Sequence, residues 1–193
     1  MDMDRSSILY IAFVGVAALI AAGERVYARR NETRLLGEGA VEVAPRVFRL
    51  MAPVYTLVFP AAILERLALA RRPPLLLAVS TIVLFAAAKM LKLWAVLHLK
   101  ELWTMRVVLP RPLRVVTGGP YRYVRHPNYV AVIGEILTLP LAGGAWITAL
   151  LGGLLFGLLL RARIRSEEAA LLEQPDYVSA MAGKPRFVPG AGR

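Results

Sequence analysis

The sequence predicts an all-α integral membrane protein with about five transmembrane helices, and three observations carry that assignment. First, the 193 residues are 58% apolar with a mean hydropathy of +0.57, above the roughly 45–50% of soluble domains. Second, the apolar residues gather in long runs separated by arginine-rich segments. Third, Lys and Arg outnumber Asp and Glu 24 to 13, a net charge of +11, and this surplus flanks the apolar runs. Such placement fits the anionic face of a lipid bilayer and not nucleic acid, which draws on a soluble basic domain. The absence of cysteine rules out disulfides, thiolate catalysis and cysteine-based metal sites. No metal-ligand cluster is expected from the two histidines.

The first helix is expected over Ile8–Ala22. Its leading "MDMDRSS" carries Asp2 and Asp4 against Arg5, whereas a secretory signal wants a positive start. The second covers roughly Val47–Leu69 and contains Pro53 and Pro60, which membrane helices tolerate when neighbours satisfy the freed backbone groups. The third, Leu75–Leu99, follows an "RRPP" break. The last apolar block, Val130–Leu160, is too long for one span and short for two full ones. It reads as a tight helical hairpin broken at Pro140–Gly144. Residues 1–99 thus hold three helices and their loops, and 100–193 hold the hairpin with its polar flanks, in one membrane domain.

Orientation follows from the arginines. Arg25, Arg29, Arg30, Arg34 and Arg46 follow helix one; Lys100, Arg106, Arg111, Arg114, Arg122 and Arg125 precede the hairpin; Arg161, Arg163, Arg165, Lys184, Arg186 and Arg193 follow it. An outside N-terminus with five crossings puts all three groups in the cytoplasm. The short loop with Arg66, Arg71 and Arg72 disagrees and is outvoted.

The dense polar sequence flanks the hairpin on that one face. "GPYRYVRHPNY" (119–129) enters it and "RARIRSEEAALL" (161–172) leaves it, so the hairpin brings the two together. Pro127 keeps His126 out of the α region and suits the first helical position. The free amides beginning at Asn128 then form a partial positive end suited to an anion. Tyr121, Tyr123 and Tyr129 supply flat faces and hydroxyls. Arg163 and Glu167 share one helical face at four-residue spacing. By themselves these residues also read as an interfacial aromatic belt and a surface ion pair.

Other polar residues interrupt the apolar runs. Glu135 lies within the fourth helix and is costly unless paired, either with a lysine or along a substrate cavity. Lys89 and Lys92, on one face of the third helix, are expected to snorkel to the interface. His98 reads as interfacial, and Trp94, Trp103 and Trp146 as anchors or packing residues.

The stretch "GPYRYVRHPNY", the apolar hairpin, "RIRSEE" and the tail "YVSAMAGKPRFVPG" resemble the isoprenylcysteine carboxyl methyltransferase family of membrane enzymes. The segment "ERVYARRNETRLLGEGAVE" resembles the bacterial branch, often found with type III polyketide synthases. The resemblance implies methyl transfer from S-adenosyl-L-methionine to a lipophilic acceptor entering from the bilayer, in a bacterial-type inner membrane with the site facing the cytoplasm. It implies cofactor contacts at Leu113, Arg114, Val115, Val116, Tyr121, His126, Pro127, Asn128 and Tyr129, with Glu167 on the cofactor's amino group and Arg163 orienting the acceptor. Two departures stand out: Arg165 and Ser166 replace an acidic run before Glu167, and five spans are fewer than eukaryotic members have.

The residues themselves suit that cofactor. Arg125, His126 and the helix start offer donors for a carboxylate, and Glu167 or Glu168 accepts from an ammonium. An ionised acceptor, carboxylate or acidic enol, needs no base and is held by Arg163. A neutral phenol needs a base, for which His126 is the candidate. Glu135 is a candidate acceptor-cavity residue. Three other readings stay open: an NADPH-dependent reductase of the sterol-reductase type, a phospholipid N-methyltransferase, and a membrane scaffold without activity.

Overall fold

A computed structural model describes residues 4–190; Asp2, read above against a secretory signal, and Arg193, counted toward orientation, lie outside them. Helices dominate, in the order α1 Arg5–Gly37, α2 Pro45–Leu69, α3 Leu75–Leu99, α4 Pro127–Ala142, α5 Trp146–Leu172 and α6 Pro175–Met181. Four of these (α1, α2, α5, and α3 with its short extension to Leu102) are long and apolar enough to cross a membrane, and α4 is a shorter apolar helix. The chain is an integral membrane protein. Leu9, Leu19, Leu57, Leu64, Leu76 and Leu154 face outward, as expected where lipid is the solvent. The core runs between the helices through Val14, Ala17, Val58, Phe85, Ile136 and Phe156.

The all-α class stands, and three details depart from the sequence reading. First, α1 does not stop near Ala22 but continues as one helix to Gly37, ~50 Å in all. Charges read as loop therefore lie on a helical arm. Asp4 caps its start by accepting from Ser7 N at 3.1 Å. Second, a two-stranded antiparallel ribbon, β1 Val41–Val43 with β2 Val107–Leu109, supplements the helices, pairing Val41 with Leu109 and Val43 with Val107. Third, the hairpin's turn is Gly143–Ala145, overlapping the end of the expected Pro140–Gly144 break, and Pro140 itself lies inside α4. Gly143 fits there because its Cα lies against the ring of Tyr10, where a Cβ would come within 2.2 Å of ring carbon. Gly144 turns the chain at φ +76°.

That turn meets the start of α1 and the α2–α3 connection at one pole. Arg66 is buried there and donates to Ser6 Oγ at 2.6 Å, Ser7 Oγ at 3.2 Å, the Gly143 carbonyl at 3.2 Å and the Arg71 carbonyl. Arg72 pairs with Asp4 at 2.7 Å. Glu65 caps α5, accepting from Ile147 N at 3.0 Å and Thr148 N at 2.7 Å. The cluster that disagreed with the charge count is thus occupied in tying helices together. Arg66→Ala is expected to cost about 2–3 kcal/mol, because it leaves a buried carbonyl and a buried hydroxyl unsatisfied. A lower unfolding temperature in detergent, by circular dichroism, checks this.

At the opposite pole lie the far end of α1, the ribbon, the end of α3, the start of α4, the end of α5, and α6. The arm of α1 organises this pole. Asn31 Nδ2 donates to the Lys100 and Trp103 carbonyls at 3.2 and 2.8 Å. Glu32, buried, accepts from Met105 N, Arg106 N and Arg106 Nε at 2.9–3.0 Å. The segment Trp103–Arg106 is thereby fixed over the mouth of the bundle.

Candidate functional site

Two cavities meet at that pole. The first, about 170 Å³, lies outside the bundle mouth, enclosed by the segment 102–116, Tyr121, the start of α4, the end of α5 and α6. The second, about 470 Å³, runs down between α1, α2 and α5, with an apolar wall that includes Ala18, Ala21, Met51, Phe59, Pro60 and Phe156. Five residues line both: Trp103, Thr104, Asn128, Tyr129 and Arg163. The first chamber therefore mixes polar and apolar lining, the second is largely apolar, and they share a wall.

The start of α4 takes the form its sequence dictates. His126 is the N-cap at φ −125°, and Pro127 is the first helical residue. The His126 ring lies parallel to that of Tyr129, centroids 5.2 Å apart. Its Nε2 faces Glu168 Oε1 at 2.9 Å; since a carboxylate only accepts, that nitrogen carries the proton.

Arg163 is the centre of the shared wall. Its Nε donates to Tyr129 Oη at 2.7 Å and its Nη2 to the Met105 carbonyl at 2.5 Å. Its guanidinium lies 5.4 Å from the Tyr129 ring and 5.9 Å from that of Phe48. Tyr129 in turn donates to Glu167 Oε2. Arg163 is buried, and its Nη1 makes no hydrogen bond among the described residues.

Of the residues singled out from sequence, Leu113, Arg114, Val115, Val116, Tyr121, Arg125, His126, Asn128, Tyr129, Arg163 and Glu167 all line the first cavity. His126 and Glu167 thus face one chamber. His126 does not line the second cavity. Pro127 and Glu168 line neither, and Glu135 lies deeper in the bundle. Glu168 is buried with both oxygens engaged: Arg186 at 2.6–3.1 Å, Arg125 at 3.2 Å, and His126. It is a hub under the cavity floor. The tail is pinned there as well, since Arg125 N and His126 N donate to the Pro185 and Arg186 carbonyls at 3.0 Å.

Lys89 and Lys92 do not snorkel. Both are paired inside the bundle with Glu24 and Glu135. Sequence reasoning also missed Asn31 and Glu32, which position Trp103–Arg106, and Tyr177 and Met181, which close the first cavity. Burial pushes the Tyr177 phenol up to about 12. Burial, then the Glu167 charge, raises Tyr121. Both remain neutral hydroxyls at physiological pH.

The polar groups of the first cavity fit the amino-acid part of a zwitterionic ligand. Arg125 Nε is buried without a hydrogen-bond partner and Arg125 lines the chamber, a spare donor where a carboxylate would sit. Glu167 supplies an acceptor on the same wall, and the valines and tyrosines supply apolar faces.

A family profile described as isoprenylcysteine carboxyl methyltransferase (ICMT) family matches residues 79–173. The chain is 29% identical over 166 residues to the uncharacterized protein YpbQ of Bacillus subtilis strain 168, covering 86% of this chain and 98% of that one. It is 31% identical over 147 residues to an uncharacterized protein of Haemophilus influenzae, covering 74% of this chain and 83% of that one.

Proposed function

Because the chain belongs to the isoprenylcysteine carboxyl methyltransferase family, we propose that it transfers a methyl group from S-adenosylmethionine to an oxygen of a lipophilic acceptor. The carrying observation is the common wall between a chamber of mixed polarity and an apolar one, with Arg163 in it. When bound, the cofactor supplies a methyl group on a positively charged sulfur. Arg125, His126, Asn128 and Glu167 hold its amino-acid part, and Leu113–Val116, Tyr121 and Tyr129 frame the rest. Arg163, fixed by Tyr129 and Met105, turns its free Nη1 to the acceptor oxygen and orients it. A preset guanidinium contributes by positioning, since methyl transfer demands an in-line approach.

The pole carrying both chambers faces the cytoplasm in this reading, within a bacterial-type inner membrane. The cationic lining of the second cavity, Arg25, Lys92 and Arg163 with no acid, favours an oxygen acceptor over the amine of a phospholipid headgroup. Incubation with labelled methyl donor and extracted membrane lipids, followed by mass analysis, tests the reading; a methylated oxygen is expected, and no labelled lipid refutes it.

His126→Ala and Glu167→Ala are each expected to weaken S-adenosylhomocysteine binding about ten- to a hundredfold, the cost of a charge-assisted contact or its orienting partner. Titration calorimetry on the purified protein measures this. NADPH binding in place of S-adenosylhomocysteine would favour the reductase reading instead.

A further inference from the structure

Five residues line both cavities, and four of them have partners that account for their side chains. Arg163 bonds Tyr129 and the Met105 carbonyl. Tyr129 gives its hydroxyl proton to Glu167, and its ring is taken by His126, parallel at 5.2 Å, and by the Arg163 guanidinium at 5.4 Å. Thr104 donates to the Arg106 carbonyl at 2.7 Å. Asn128, the second residue of α4, accepts from Trp103 Nε1 at 3.4 Å. Trp103 is the fifth, and no role described so far uses its ring.

Trp103 is 2% exposed yet borders both cavities. It is held at three points. Its carbonyl accepts from Asn31 Nδ2 at 2.8 Å, Tyr27 of the α1 arm stacks on its ring with centroids 6.0 Å apart, and its indole N–H is aimed at Asn128. A tryptophan that merely filled the bundle would not border empty space on two sides. Fixed in this way, the indole presents an electron-rich surface at the wall, and indole attracts a cation more strongly than the other aromatic side chains do.

The charges at the wall call for such a surface. In the proposed reaction the methyl group crosses there, so the positively charged sulfur of the cofactor comes up to a wall that already holds the buried guanidinium of Arg163. Like charges repel more strongly away from water. Glu167, which lines the first cavity, is engaged by Tyr129 and set against the cofactor's amino group. Of the two aromatic rings in the wall, that of Tyr129 is already occupied. We infer that Trp103 is a cofactor-binding residue whose indole holds the sulfonium at the wall against the repulsion of Arg163, with Tyr27, Asn31 and Asn128 as its positioning residues. The thioether of the spent cofactor is neutral and loses that attraction, which favours its exchange. This inference rests on the reading of the first cavity as the cofactor chamber.

S-adenosylmethionine and S-adenosylhomocysteine differ by one methyl and one positive charge, so the ratio of their affinities reports on the charge at the wall. Titration calorimetry of the purified protein without acceptor measures both. Trp103→Leu is expected to lower the ratio about tenfold and Trp103→Phe about threefold. Tryptophans with increasing ring fluorination, incorporated into the unaltered sequence, keep the ring's shape and withdraw electrons from its face; the ratio should fall step by step along that series. Trp94 and Trp146 line neither cavity and leave the ratio alone. An unchanged ratio in Trp103→Leu, or a ratio constant along the fluorinated series, overturns the inference, and the fluorinated proteins decide it if Trp103→Leu fails to fold. No binding of either ligand by the unaltered protein refutes the methyltransferase reading itself, whereas binding of both with an insensitive ratio confines the failure to Trp103.

Discussion

Arg163→Ala is expected to reduce methyl transfer about a thousandfold or more, equivalent to ~4 kcal/mol of barrier, while S-adenosylhomocysteine affinity stays within about threefold. The asymmetry follows from the contacts. Arg163 bonds Tyr129 and the Met105 carbonyl and lines both chambers, so its loss removes the group proposed to set the acceptor oxygen against the wall. The residues proposed for the cofactor's amino-acid part, Arg125, His126 and Glu167, keep their positions through Glu168 and Tyr129. Arg163→Lys should rescue little, because an ammonium cannot reproduce the planar fork that reaches Tyr129, Met105 and the cavity together. Single-turnover kinetics beside cofactor titration decide the matter. Equal losses in both measurements would remove Arg163 from the acceptor side.

Glu168→Ala is expected to abolish cofactor binding and to destabilise the fold by about 3–5 kcal/mol, the usual penalty for breaking a buried ion cluster by removing one partner. Its carboxylate is the common partner of Arg125, His126 and Arg186. Without it, positively charged groups crowd together and the tail loses an anchor. Glu168→Gln should retain part of the hydrogen bonding and lie between. Thermal unfolding with and without S-adenosylhomocysteine distinguishes this outcome from loss of a direct cofactor ligand, which would lower affinity and leave the unliganded melting temperature unchanged.

The membrane class, the helical hairpin and the meeting of its two polar flanks were legible because each follows from run length and the position of a break. What escaped is instructive. The arm of α1 looked like a loop since a solvated helix and a charged loop share composition; nothing in "RRNETRLLG" tells that Asn31 and Glu32 turn inward onto backbone groups of a segment about 70 residues away. Pro140–Gly144 looked like the hairpin's break, yet a proline near a helix end is tolerated, so the turn starts only at Gly143, where the steric demand falls against Tyr10. The lysines of α3 looked like snorkelling residues because their partners are remote in sequence, one on α1 and one on α4. Adjacent Glu167 and Glu168 looked interchangeable, but successive helical positions point about 100° apart, and only Glu167 faces the chamber.

The brevity of α4 has its own consequence. At 16 residues, ~24 Å, it is shorter than the ~30 Å hydrocarbon slab, whereas α5 runs on for nine residues beyond Arg163, which bonds Tyr129. In the proposed membrane placement, the first chamber is thereby sunk to the depth of the lipid headgroups. On the proposed reading, a greasy acceptor then meets a water-soluble methyl donor without desorbing from its leaflet, and is spared an extraction cost of ~0.8 kcal/mol for every methylene it carries.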